Sequence, residues 1–215
     1  MEKIVDIKPI GIESAVVYAP FDKAPAELQK NGYKIISLED NAKLRIQQGK
    51  DAYISSNSNW TREGILYIPK EGNKLVRNSP ILESAREATR AHKIGREFYP
   101  TKEQIASALT DSIDFPEKTI EIPTNRFDSE ALPIWVFGGE QEAQAYGEFL
   151  REAGIKDMPV WVVDKDYVKK QNKPFARQMW FGGLGYGSVL GGGRFLVNGV
   201  SLRGVKNLEE KAKKQ

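Results

Sequence analysis

The chain has 215 residues, no cysteine, one histidine and a net charge of +3 at pH 7. Disulfides, thiolate catalysis, cysteine-type zinc sites and iron–sulfur ligation are thereby excluded, and a histidine-rich metal site with them. With 40% hydrophobic and 28% charged residues the composition is globular, and it needs no disulfide to support a core.

No stretch approaches the roughly 18 consecutive apolar residues of a membrane span, so the expectation is an intracellular, cytoplasmic protein without a membrane partner. Charge is unevenly spread. Residues 1–159 hold 21 Lys/Arg against 25 Asp/Glu, whereas residues 160–215 hold 11 against 4. The basic last quarter allows a nucleic-acid contact or simple solubility.

In chain order, Ala15–Tyr18 and Lys34–Ser37 read as strands, Asn41–Gln48 as a helix and Ala52–Ser55 as a strand. A hairpin near 64–77 follows, its arms flanking the turn Lys70-Glu71-Gly72-Asn73, with Pro69 suggesting an edge position. Ser79-Pro80 opens a helix running to about Phe98, and Thr101–Gln104 has capping-box spacing for a second, shorter one. Residues 111–130 read as a connection with a short strand, TIEI, inside it.

The clearest pattern lies at 132–164. Ile134–Phe137 is a continuous apolar run, Gly138-Gly139 breaks it, Glu140–Ala153 is amphipathic, and Val160–Val163 is a second apolar run. The expectation is a βαβ unit in a parallel or mixed sheet, hence an α/β fold. A second hairpin is expected near 194–203, centred on Asn198-Gly199. Three portions follow: an N-terminal α+β part to residue 115, an α/β part over 116–205 and a basic tail over 206–215.

In a parallel sheet, ligands gather beyond the carboxyl ends of the strands. That rule selects Gly138–Glu142 and Asp164–Asp166. Glutamates in the first helical turn disfavour direct phosphate binding, and neither a GxGxxG fingerprint nor a P-loop is present. Asp164 and Asp166 as ligands for Mg²⁺ or Mn²⁺, with Glu140 or Glu142 assisting as ligand or base, is the sharpest reading. It implies a divalent-metal-dependent enzyme or binding protein for a small phosphorylated or nucleotide-like ligand. The bland alternative makes Asp164 a turn former or helix cap.

Residues 182–193 contain seven glycines. They read either as a lid or cradle or as hairpin strands bent by glycine. As a binding site the segment offers Arg177, Trp180, Gly183, Gly185, Tyr186, Gly187 and Arg194. A non-enzymatic nucleic-acid- or protein-binding module using this last quarter is the second reading, and a structural or assembly protein with an oligomer contact the third. His92 reads as a packed or capping residue, Trp135 and Trp161 as core, and Trp60 and Trp180 as possible stacking platforms.

Overall fold

The computed structural model describes residues 6–9, 14–193, 195–196 and 201–206. Its first part runs β1 (Asp6–Pro9), β2 (Ser14–Tyr18), α1 (Ala24–Lys30), β3 (Lys34–Ile35), α2 (Leu38–Gln48), α3 (Tyr53–Ser56), β4 (Asn59–Ile68) and β5 (Gly72–Val76). Three helices, α4 (Pro80–Glu83), α5 (Ala85–Lys93) and α6 (Lys102–Leu109), lead to β6 (Ser112–Phe115) and β7 (Ile120–Pro123). Then come α7 (Ala131–Phe137), α8 (Glu140–Glu152), β8 (Asp157–Trp161), α9 (Lys165–Lys170), β9 (Phe175–Phe181), β10 (Leu190–Gly191) and β11 (Ser201–Val205).

The strands make one mixed sheet, in the order β1-β2-β11-β4-β9-β10-β8-β7. β11 returns the end of the chain beside its beginning, antiparallel to β2 and parallel to β4. Both faces are covered. Along β4, Ile65 and Tyr67 enter a cluster with Phe137, Tyr146, Leu150 and Phe175, while Leu66 and Ile68 enter another with Trp60, Ile81, Phe98 and Ala176. That period-2 division explains why β4 is apolar at successive positions.

The α/β class and the mixed sheet are as expected, and so is the hairpin of β4 and β5, whose turn takes positive φ at Lys70 and Gly72. Pro69 is not at an edge: it follows the last residue of β4, a strand paired on both sides. The capping boxes of α2 and α6 are formed.

The βαβ unit at 132–164 is corrected at its first member. Residues 131–137 are a helix, with Pro133 in its first turn, Gly138 closing it in the left-handed conformation, and Leu132, Pro133, Val136 and Phe137 buried. Those residues fall at i, i+1, i+4 and i+5, one helical face, and a short apolar run carries no periodicity to separate that from a buried strand. α8 follows as expected; β8 covers Asp157–Trp161, three residues earlier than the apolar run Val160–Val163 suggests, and it pairs antiparallel with β7 and parallel with only two residues of β10.

Residues 53–56 are likewise helical rather than extended, and the helix expected over 80–98 is broken at Ser84. The Asn198-Gly199 turn lies outside the described residues. Described β11 makes its pairs with β2, β3 and β4.

Candidate functional site

The two acidic turns serve local structure. Asp164 caps α9, its Oδ1 accepting from the backbone N–H of Asp166 and of Tyr167 at 3.0 Å each. Asp166 lies 3.8 Å from Lys169. Glu142 folds back over Gly139 and, with Glu39 of α2, acts on Lys43, whose pKa is raised first by its hydrogen bond to Glu39 and also by the charge of Glu142. Glu140 is exposed at the start of α8.

Among the described residues no group of three or more His, Cys, Asp or Glu could hold a metal ion. The four carboxylates therefore do not converge, and the expectation of a divalent-metal-dependent enzyme at the sheet's carboxyl edge is withdrawn. The turns belong to different neighbourhoods because the first run is a helix, so no strand delivers Gly138–Glu142 to the edge where β8 ends.

The second group of expected residues lies on and after β9. Arg177 is 4% exposed and forms a two-pronged ion pair with buried Glu97: Nε donates to Oε2 at 2.8 Å and Nη2 to Oε1 at 2.5 Å. The Tyr167 hydroxyl donates to the same Oε1 at 2.6 Å, and Arg177 Nη1 to the carbonyl of Gly193 at 3.1 Å. Burial, reinforced by the bond to Glu97, pushes the Tyr167 hydroxyl up to about 12. His92 accepts from the Leu196 amide at Nδ1, 3.1 Å away; burial and the Arg177 charge lower it to about 3, so it stays neutral. These ties hold Gly193 and Leu196. They also occupy Arg177, which is not available to neutralise a ligand phosphate.

The glycine-rich segment is held from its other end by a residue the sequence did not single out. Arg45, on α2, donates from Nη1 to the Tyr146 hydroxyl and to Ser188 Oγ, both at 3.0 Å, and from Nε to the Ile54 carbonyl at 3.1 Å. Tyr146 and Ser188 bond each other at 2.6 Å.

Gly183 donates to Ser58 Oγ at 2.9 Å, and a Cβ on it would stand 2.4 Å from the Ser56 carbonyl, so glycine is what lets this turn close on α3. Gly192 lies over Ile65 and Tyr67 and accepts from the Tyr67 hydroxyl at 3.1 Å. Gly185 faces open space and Gly187 takes φ of 67°. Arg194 and the tail beyond Lys206 lie outside the described residues.

An aromatic row runs to the surface here. Trp161 and Trp180 stack with centroids 6.1 Å apart, and Trp180 meets Tyr186 edge-on at 5.6 Å. Tyr186 is 55% exposed. Across the Gly183–α3 contact stand Tyr53 and Tyr18, 37% and 39% exposed and joined hydroxyl to hydroxyl. Trp60 is buried against Phe21 and is no platform. Tyr18 and Tyr53 were not marked by sequence, since they lie far apart in the chain and meet only through the sheet.

No family profile and no curated protein matches this chain. It is similar in structure to a solved protein described by the accommodation of massive sequence variation in Nanoarchaeota by the C-type lectin fold. The TM-score is 0.67 over 96% of this chain and 100% of the other, at 16% sequence identity. The fold is therefore the C-type lectin fold, and this finding too tells against the metal-dependent enzyme.

Proposed function

We propose that the chain is a non-enzymatic protein-binding module whose contact surface is the tyrosine patch of Tyr18, Tyr53 and Tyr186 around α3 and the 184–186 turn. The observation that carries this reading is the patch itself: three exposed tyrosines on backbone tied to the core by Arg45, Ser58 and Trp180. Tyrosine offers a large amphipathic contact at low rotamer cost, and a fixed backbone saves the ordering entropy of binding. A fold that accommodates massive sequence variation in its Nanoarchaeota neighbour suits a surface that changes side chains on a constant frame.

A protein partner is favoured over nucleic acid by the arginines. Arg177 is consumed by Glu97 and Arg203 is 1% exposed, so neither contributes to a basic face. A photo-crosslinking residue at Tyr186 or Tyr53, with Glu71 at the opposite end of β4 as control, tests the proposal in extract from the source cells. The expected result is one protein adduct from the tyrosine positions alone, competed by the wild-type chain and not by the Tyr53→Ala/Tyr186→Ala variant. Equal adducts from Glu71, or capture of oligonucleotides with a steep salt dependence, would overturn it.

A further inference from the structure

Arg45 and Arg203 are 0% and 1% exposed, the two largest fully buried side chains among the described residues. A buried cation is ordinarily matched by a carboxylate, as Arg177 is by Glu97. Among the described residues neither Arg45 nor Arg203 has one. Arg45 spends Nε and Nη1 on neutral oxygens and lays its guanidinium 4.2 Å from the centroid of Phe181. Arg203 has a long bond to Ser14 Oγ, 3.4 Å, and the ring of Tyr53 at 5.5 Å.

Buried Nη2 of Arg45 and buried Nε of Arg203 have no hydrogen-bond partner. The two cations are also neighbours. Arg45 touches α3 through the Ile54 carbonyl and Arg203 through Tyr53, and after burial the charge of Arg45 is the next cause of a lowered Arg203 pKa, about 10, which still leaves the group protonated at neutral pH.

We infer that the Arg45–Arg203 pair beneath α3 binds a small monovalent anion of the halide class, chloride under ordinary conditions. An anion there matches two charges that otherwise repel in a medium of low dielectric, and it accepts from the two unpartnered N–H groups. Apolar Ile36, Leu44, Ile54 and Val205 form a compact cluster beside it, and the joined Tyr18 and Tyr53 hydroxyls stand on the solvent side of Arg203. The site lies beneath the tyrosines of the proposed contact, but the inference does not rest on that proposal.

Thermal unfolding in chloride against gluconate at constant ionic strength tests the inference. A ligand bound only by the folded state raises Tm with its concentration, so wild type should gain about 5–11 °C once chloride is some 100-fold above its dissociation constant. The Arg203→Met variant should lose that dependence. Should Arg203→Met fail to fold, ³⁵Cl NMR on the wild-type protein reads the same site, as excess line broadening that bromide displaces. Equal Tm in chloride and gluconate with no excess ³⁵Cl broadening overturns the inference, as does a folded Arg203→Met variant that keeps the chloride response.

Discussion

Replacing Glu97 by Gln removes the carboxylate that faces Arg177 while preserving shape, which isolates the charge. Both side chains are almost fully buried, 4% and 1% exposed, and three hydrogen bonds converge on the two carboxylate oxygens. Glutamine offers one oxygen for those three donors and turns its own N–H₂ against the guanidinium. Breaking a buried pair from one side costs about 3–5 kcal/mol, because the surviving charge stays desolvated. For a chain of this length that lowers Tm by about 6–20 °C. The assay is urea and thermal unfolding of Glu97→Met, Arg177→Met and the double variant beside Glu97→Gln. The double should recover at least half of the loss of the worse single, since removing both charges removes the penalty. Amide exchange at Leu196, held by His92, should accelerate in Glu97→Gln. A Glu97→Gln cost under about 1 kcal/mol, or additivity in the cycle within about 0.5 kcal/mol, would refute the reasoning.

Two buried groups give opposed pH dependences. Glu63, on the bulge between Trp60 and Gly64 of β4, accepts from the Leu38 amide at 3.1 Å, and burial raises it from 4.5 to about 7. Its contribution is full below 4.5 and is lost as pH rises through 7. Neutral His92, lowered from 6.5 to about 3, costs stability as pH falls below 6.5. Each slope is about 1.4 kcal/mol per pH unit, so between 4.5 and 6.5 they cancel. Wild-type stability should be flat there, Glu63→Gln should lose stability on acidification and His92→Gln should gain it; parallel curves for the three would sink both assignments.

Gly183→Ala and Gly192→Ala should each lose about 1–3 kcal/mol by urea unfolding, since the new methyl meets the Ser56 carbonyl or the Ile65 side chain. Gly185→Ala, in open space, should stay within about 0.5 kcal/mol. Tyr146→Phe deletes a hydroxyl shared by Arg45 and Ser188 and should cost about 1–3 kcal/mol, read by the same melts.

Local chemistry was readable from the chain and distant pairing was not. Thr101 announces its helix, and Lys70–Gly72 its turn, because caps and turns are decided within four residues, whereas Ser37, which reads as the end of a strand, caps α2. Leu132–Phe137 is apolar whichever way it folds, and the choice of helix rests on Pro133, Gly138 and the partners of its buried face. Ala52–Ser55 reads as a strand from its side chains, yet Arg45 binds the carbonyl of Ile54 in a helical turn.

The site was half legible for the same reason. Glycine density and Tyr186 mark the segment 182–193, but Arg45 meets Ser188 across 143 residues and Arg177 meets Glu97 across 80. Nothing near Arg45 in sequence separates it from a solvated helix arginine.

A glycine-dense run is costly to order, and this one is ordered by ties spaced along its length. Ser58 holds Gly183, Arg45 and Tyr146 hold Ser188, Tyr67 holds Gly192 and Arg177 holds Gly193, while Gly182 closes on Val189 through its own amide. Most of these donors belong to α2, α8 or the central strands β4 and β9, elements buried on both sides of the sheet. The backbone is thus fixed from beneath while Tyr186 and Gly185 remain outside. Such a division suits recognition better than closure over a substrate. A lid needs few ties and two positions, whereas a contact surface gains affinity from each degree of freedom already removed. It also separates the residues that can change from those that cannot. Substitution at Tyr18, Tyr53, Gly185 or Tyr186 alters what the surface meets, and substitution at Arg45, Glu97, Tyr146 or Arg177 alters whether there is a surface at all.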